Sequence, residues 1–108
     1  MVSHYVFSYG TLQNKTIQLE LYGTLLQGQP DILKGFKLNS IMLKNNLGEN
    51  KMYPIIEYTG NPNETIKGFV FKMSHTQLSA TDIYEGPSYK RISTITELGR
   101  TCWVYAAH

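Results

Sequence analysis

The sequence is poor in cysteine and in uninterrupted apolar runs, and each shortage excludes a class of protein. The single cysteine, Cys102, cannot form a disulfide within the chain, which excludes a disulfide-stabilised secreted scaffold. No apolar run approaches the roughly 20 residues needed to cross a bilayer. The first residues also lack the basic and apolar regions of a signal peptide. We therefore expect a cytoplasmic protein with no membrane partner.

An excess of charge of one sign is also missing. Ten basic residues face eight acidic ones, the formal net charge is +2, and the basic residues are scattered along the chain. This pattern does not predict a nucleic-acid partner. The histidines His4, His75 and His108 are far apart, and no CxxC or HExxH spacing occurs, so we predict no metal site. Without coiled-coil heptads or another assembly signal, we expect a monomer.

What the sequence does contain is a series of short β-like segments within 108 residues, a length that suits one domain, 1–108. Aromatic and β-branched runs predict strands at 4–9, 35–43, 52–58, 67–73, 91–97 and 101–106. Residues 14–22 are expected to form a short helix or an irregular turn. Glycines and a proline predict a turn-rich region at 28–35.

One helix is well delimited by the sequence. Ser74 and Gln77 have the spacing of a capping box, while Gly86 and Pro87 are typical of a helix end, so a helix is predicted between them. Many strands with one or two short helices indicate an α+β fold. Closure of the strands into a small β-barrel would remove exposed sheet edges.

The first candidate for chemistry is the segment Tyr9–Leu12, where a predicted buried strand ends at Gly10. Backbone N–H groups at such a turn are free of a sheet ladder and can point at an anion or a developing oxyanion. Gly10 permits a positive φ and the close approach of a ligand. An ordinary strand-to-turn transition explains the same four residues.

The second candidate is Glu85, at the predicted end of the helix. A helix C-terminus disfavours an ionised carboxylate, and Tyr84 and Tyr89 could desolvate it, so its pKa is expected to rise. Such a carboxyl can take and return a proton near neutral pH. The alternative is a solvated glutamate paired with Lys90 or Arg91. Glu57 or Asp82 could also form a carboxylate pair with Glu85.

Six segments, taken in order, resemble the gamma-glutamylcyclotransferase-like (AIG2-like) family. Residues 6–12 (VFSYGTL) resemble its opening strand and YGTL loop. Residues 82–86 (DIYEG), followed by Tyr89 and Arg91, are similar to its D-x-x-E-G…Y-x-R segment. The remaining similar segments are 33–38 (LKGFKL), 52–56 (MYPII), 66–71 (IKGFVF) and 103–105 (WVY).

The resemblance implies a mixed α+β fold built around a β-barrel, and a reaction without a cofactor. In that reaction a γ-glutamyl compound cyclises to 5-oxoproline and releases an amine or amino acid. By motif, Glu85 is the general base, and Tyr9, Gly10, Thr11 and Leu12 bind the substrate. Tyr89 is a further substrate-binding candidate.

Two other functions remain open at this stage. The same fold could form a binding module for a small carboxylate-bearing ligand, such as a γ-glutamyl compound, without turnover. The chain could also be a small β-rich interaction domain whose pocket is incidental. Cys102, beside Trp103 in a predicted strand, is expected to be a buried structural residue.

Overall fold

The central feature of the computed structural model is one sheet with a separate two-stranded ribbon packed near it. The structure describes residues 3–45 and 47–107. The strands are β1 Ser3–Ser8, β2 Gly28–Lys34, β3 Phe36–Lys44, β4 Asn50–Tyr58, β5 Thr65–Ser74, β6 Tyr89–Ile95 and β7 Thr101–Ala107. The helices are α1 Lys15–Tyr22 and α2 His75–Glu85, and a 3-10 turn spans Thr11–Gln13.

The five-stranded sheet has the order β2-β5-β1-β7-β6, and β3 pairs with β4 alone. Strand β1 lies in the middle, antiparallel to β5 and parallel to β7. Both sheet faces are apolar, because strand side chains alternate between them. One face carries Phe7, Val70 and Val104, and the other carries Val6 and Phe71.

Each face has its own cover. Phe36 and Ile56 of the β3–β4 ribbon are buried with Phe7 and Val104 on the first face. Leu78 of α2 is buried with Val6 on the second face. The first cluster also contains Cys102, which is 4% exposed, so the prediction of a buried cysteine is confirmed. The sheet is therefore the middle layer between a β-ribbon and two helices.

The expected closure into a small β-barrel does not occur, although the α+β class is confirmed. Within residues 3–45 and 47–107, backbone pairing leaves β3–β4 as a separate sheet. The ribbon turns away at Gly35, where φ is +83°, and side-chain burial rather than a hydrogen-bonded ladder attaches it. The turn predicted at 28–35 is also wrong over most of its length, because β2 occupies Gly28–Lys34.

The helix predictions hold. Residues 15–22 form a helix, and the Asn14 side chain accepts hydrogen bonds from the N–H groups of Thr16 and Ile17. The capping box of Ser74 and Gln77 opens α2 as predicted. Among the described residues, no helix is both long enough and apolar enough to span a membrane.

A buried carboxylate joins β2 to the β6–β7 turn. Asp31 accepts a hydrogen bond from the Thr96 hydroxyl (2.6 Å) and others from the N–H groups of Ile32 and Leu98. A guanidinium nitrogen of Arg100 lies 3.9 Å from a carboxylate oxygen of Asp31. Burial acts to raise the pKa of Asp31, but these hydrogen bonds and Arg100 outweigh it, so the pKa lies below its usual value.

Asp31→Asn is expected to lower the free energy of unfolding at pH 7 by about 2–4 kcal/mol. The substitution removes the negative charge that the surrounding hydrogen-bond donors and Arg100 stabilise. A carboxyl whose pKa is depressed in the folded state stabilises the fold above its unfolded pKa of about 4. The difference from wild type should therefore shrink as the pH falls below that value. Urea unfolding from pH 7 to pH 3 measures both effects.

Glu97→Gln is the control for that experiment. Glu97 lies in the same turn and forms an exposed pair with Lys34, at 3.4 Å, so its loss should change the free energy of unfolding by less than about 0.5 kcal/mol. Equal losses in the two variants would contradict a special role for Asp31.

Candidate active site

A cleft of about 370 Å³ opens where β1 ends. One wall consists of the segment Tyr9–Leu12, the end of α2 and the start of β6. The opposite wall is the ribbon, through Leu43, Lys44, Asn45, Tyr53 and Pro54. All six residues predicted from the sequence as site residues line this cleft: Tyr9, Gly10, Thr11, Leu12, Glu85 and Tyr89.

Tyr9 anchors the loop after β1. Its hydroxyl donates to the backbone carbonyl of Tyr105, at 2.5 Å, and the N–H of Ile56 hydrogen bonds to the same oxygen. The Gln13 side chain donates to the carbonyl of Ser8, at 2.9 Å. These bonds tie the loop to β7, to the ribbon and to its own strand, so its backbone is held in one place.

Gly10 does not adopt the positive φ that the sequence suggested, because its φ is −137°. The need for glycine comes from close packing instead. A Cβ at this position would lie 3.2 Å from Cγ of Pro54, on the opposite wall. A larger residue would therefore press the loop against the ribbon and change the width of the cleft.

The next two residues present backbone donors. Among the described residues, no acceptor is found for the N–H groups of Thr11 and Leu12. The Leu12 side chain is 2% exposed, so it packs inward. The Thr11 hydroxyl is hydrogen bonded to that of Tyr84, at 2.6 Å, which links the loop to α2. Free N–H groups beside a cleft can donate hydrogen bonds to a negatively charged group of a ligand.

Glu85 is the last residue of α2, as the sequence predicts. Gly86 follows it with a φ of +77°, and the Gly86 N–H bonds to the carbonyl of Asp82, which ends the helix. A positive φ is strained for a residue with a Cβ, which accounts for glycine here. The helix end thus places Glu85 in the lining of the cleft, together with the Tyr9–Leu12 segment.

The environment of Glu85 is apolar and aromatic rather than ionic. Within residues 3–45 and 47–107, its carboxylate has no ion-pair or hydrogen-bond partner, so the alternative of pairing with Lys90 or Arg91 is wrong. Burial raises the pKa of Glu85 to about 7. A carboxyl with this pKa is populated in both protonation states near neutral pH and can exchange a proton in either direction.

The phenols around Glu85 remain neutral. Burial and then the negative charge of Glu85 raise the pKa of Tyr89 to about 12, and the same two causes raise that of Tyr9 above its ordinary value. The Tyr89 hydroxyl donates to the carbonyl of Pro54, at 2.8 Å, which connects the two walls. These tyrosines are therefore hydrogen-bond donors, not bases.

Asp82 belongs to a separate network rather than to a carboxylate pair with Glu85. It accepts from the Tyr105 hydroxyl at 2.6 Å and lies 3.1 Å from Nε of Arg91. The Arg91 guanidinium in turn lies over the Trp103 ring, 4.4 Å from its centroid. Glu57, the other proposed partner, is exposed and does not line the cleft.

The sequence interpretation missed the ribbon wall and Tyr105, whereas Tyr84, expected beside Glu85, does line the cleft. Tyr53 and Pro54 lie in the predicted strand 52–58, but no local pattern indicated that this strand borders the cleft. No sequence pattern indicated that Lys44 belongs to the site. It lies at a strand end more than 30 residues after the Tyr9–Leu12 segment, and only the tertiary structure brings the two together. For metals, the described residues contain no group of three His, Cys, Asp or Glu side chains that could hold an ion; His108 lies outside them.

Glu85→Gln is expected to stabilise the protein at pH 8 by roughly 3 kcal/mol, at about 1.4 kcal/mol per pKa unit. The pKa rises from 4.5 to about 7 on folding, so ionisation costs stability as the pH increases across that range. At about pH 3 the carboxyl is neutral in both states and the gain should vanish. Urea unfolding at both pH values tests this, with Glu57→Gln as the exposed control. No gain at pH 8 would contradict the burial of this charge.

Comparison with known proteins places the fold. A family model described as gamma-glutamyl cyclotransferase, AIG2-like, matches residues 6–108. The structure is similar to that of an Arabidopsis thaliana protein solved in solution, with a TM-score of 0.77 and 20% identity over 99% of this chain. This chain spans 63% of the length of that protein.

It is also similar to a structure titled gamma-glutamyl cyclotransferase, with a TM-score of 0.72 and 21% identity, covering 99% of this chain and 68% of the other. A human protein described as uncharacterized gives a TM-score of 0.69 and 23% identity, covering 98% of this chain and 67% of the other. A comparison with curated proteins finds no match. At these identities the solved structures establish the fold alone, whereas the family model covers nearly the whole sequence. The chain belongs to the gamma-glutamyl cyclotransferase, AIG2-like family.

Proposed function

We propose that the protein is a γ-glutamyl cyclotransferase, which converts a γ-glutamyl amine or amino acid into 5-oxoproline and releases the amine. The observation that carries the proposal is Glu85, a carboxyl with a pKa of about 7 and no partner among the described residues, which lines the same cleft as the backbone donors of the Tyr9–Leu12 segment. Family membership supports the reaction class.

The reaction needs a group that moves protons. At neutral pH the α-amine of the substrate is an ammonium group, so it must lose a proton before its nitrogen can attack the γ-carbonyl carbon. Ionised Glu85 accepts that proton and, once protonated, donates it to the departing nitrogen. The new C–N bond closes the five-membered ring, the old amide C–N bond breaks, and two of the three ammonium protons end on the released amine. No oxidant, metal or cofactor enters this balance.

The reaction also needs a group that stabilises charge. During attack the γ-carbonyl oxygen becomes negative, and the N–H groups of Thr11 and Leu12, for which no acceptor is found among the described residues, lie beside the cleft and can donate to that oxygen. Tyr9 holds this segment through its bonds to β7 and the ribbon. Because nucleophile and carbonyl belong to one molecule, the cleft only has to hold the folded conformer of the substrate.

Glu85→Gln should lower kcat/KM for any γ-glutamyl substrate by a factor of about 100 or more, the usual contribution of a general base. Release of 5-oxoproline, measured chromatographically over a panel of γ-glutamyl amines and amino acids, is the assay. Glu57→Gln changes an exposed carboxyl outside the cleft and should leave the rate unchanged. A Glu85→Gln protein as active as wild type would rule out this base. Saturable binding without product in wild type would instead identify a binding module.

The pH dependence should follow the ionisation of Glu85. Because the ionised form acts as the base, log kcat/KM should rise with pH by about one unit per pH unit below pH 7 and then flatten. Initial rates between pH 5 and pH 8.5 at low substrate concentration measure the profile. A profile that flattens already near pH 4.5 would show that the base has an ordinary carboxylate pKa, which contradicts the buried site.

A further inference from the structure

The strongest unexplained feature of the cleft is its distribution of charge. Among the described residues that line it, two are charged, Glu85 on one wall and Lys44 on the other. The rest are aromatic, apolar or neutral polar side chains. Lys44 has no ion-pair partner within residues 3–45 and 47–107, in contrast to Lys34, Arg91 and Arg100.

The position of Lys44 is fixed by the turn that follows it. Lys44 ends β3, opposite Asn50 of β4. The side chain of Asn45 accepts hydrogen bonds from the N–H groups of Leu47 (2.9 Å) and Glu49 (3.0 Å). The Asn45 N–H donates to the carbonyl of Glu49, at 2.8 Å. Lys44, an exposed residue of the cleft lining, therefore extends its ammonium group from a strand end whose backbone is held by this turn.

The reaction geometry decides which part of a substrate meets this ammonium group. The reacting α-amine must lie at Glu85 and the γ-carbonyl at the Tyr9–Leu12 segment, both on one wall. The released half of the substrate then extends toward the ribbon, where Leu43 and Tyr53 offer apolar contact and Lys44 a positive charge. A carboxylate on the released half would gain a charge-assisted hydrogen bond there, whereas a second ammonium group would be repelled.

We infer that Lys44 is a specificity-determining residue, and that it selects γ-glutamyl amino acids, whose released half carries a carboxylate, over γ-glutamyl amines. The inference rests on the proposed function for the orientation of the substrate. It concerns binding by the ribbon wall, so it can be tested separately from the chemistry at Glu85.

γ-Glutamyl-alanine and γ-glutamyl-ethylamide form the matched substrate pair, since they differ only in the carboxylate. Wild type should prefer γ-glutamyl-alanine by about three- to tenfold in kcat/KM, the range of a partly exposed ion pair. Lys44→Met should bring this ratio close to one by weakening γ-glutamyl-alanine alone. Lys37→Met removes a charge from the same strand outside the cleft lining and should leave the ratio as in wild type.

Two results would overturn the inference. An unchanged ratio in Lys44→Met would mean that Lys44 does not contact the released half. Equal weakening of both substrates would assign Lys44 to the α-carboxylate, which both compounds share.

A binding experiment separates this inference from the proposed reaction. Calorimetry on the Glu85→Gln protein, with and without Lys44→Met, gives the dissociation constants of γ-glutamyl-alanine and γ-glutamyl-ethylamide, and their ratio reports the binding preference. A Lys44-dependent binding preference without turnover in wild type would support the role of Lys44 and refute the cyclotransferase. Turnover with no Lys44-dependent preference would support the cyclotransferase and refute the role of Lys44.

Discussion

Val6 and Phe7 are neighbours in the sequence, and their side chains are buried on opposite faces of the same sheet. Strand β1 can therefore exist only between two covers, the β3–β4 ribbon and the helix layer. Gly68 of β5 keeps this strand close to its neighbour, because a Cβ there would lie 2.2 Å from the carbonyl oxygen of Ser8. As a result, the segment that leaves β1 emerges between the end of α2 and the ribbon, and the cleft forms there.

The candidate base is placed by the same layering, at a cost to stability. An ionised carboxylate without a partner among the described residues is unfavourable in a partly buried aromatic setting. That setting is what raises the pKa of Glu85 toward neutrality. Asp31 shows the opposite arrangement, since a buried carboxylate surrounded by donors has a lowered pKa and holds β2 to the β6–β7 turn. One fold thus uses burial to activate one carboxyl and hydrogen bonds to keep another ionised.

The two walls of the cleft differ in how they are built. The wall with Glu85 and the Tyr9–Leu12 segment belongs to the central sheet and α2, and hydrogen bonds of Tyr9 and Thr11 cross-link it, while the Tyr89 hydroxyl bonds across the cleft to Pro54 of the ribbon. The ribbon wall is attached mainly through buried apolar side chains such as Phe36 and Ile56. In the proposed reaction, the first wall carries the groups that act on the γ-glutamyl part of the substrate. The ribbon wall contacts the part that is released, so it determines which substrates are recognised.

Short-range patterns in the sequence determined several elements and one key position. The capping box of Ser74 and the glycine after Glu85 are local signals, so α2 and the location of Glu85 at a helix end could be read directly, whereas residues 14–22 allowed either a helix or an irregular turn. Strand β2 could not, because Pro30 and Gly28 favour turns locally and only pairing with β5 makes the segment extended. The separate ribbon, the partners of Asp82 and the exposure of Lys44 to the cleft were decided by tertiary structure. Each depends on contacts between residues distant in sequence, which no local pattern encodes.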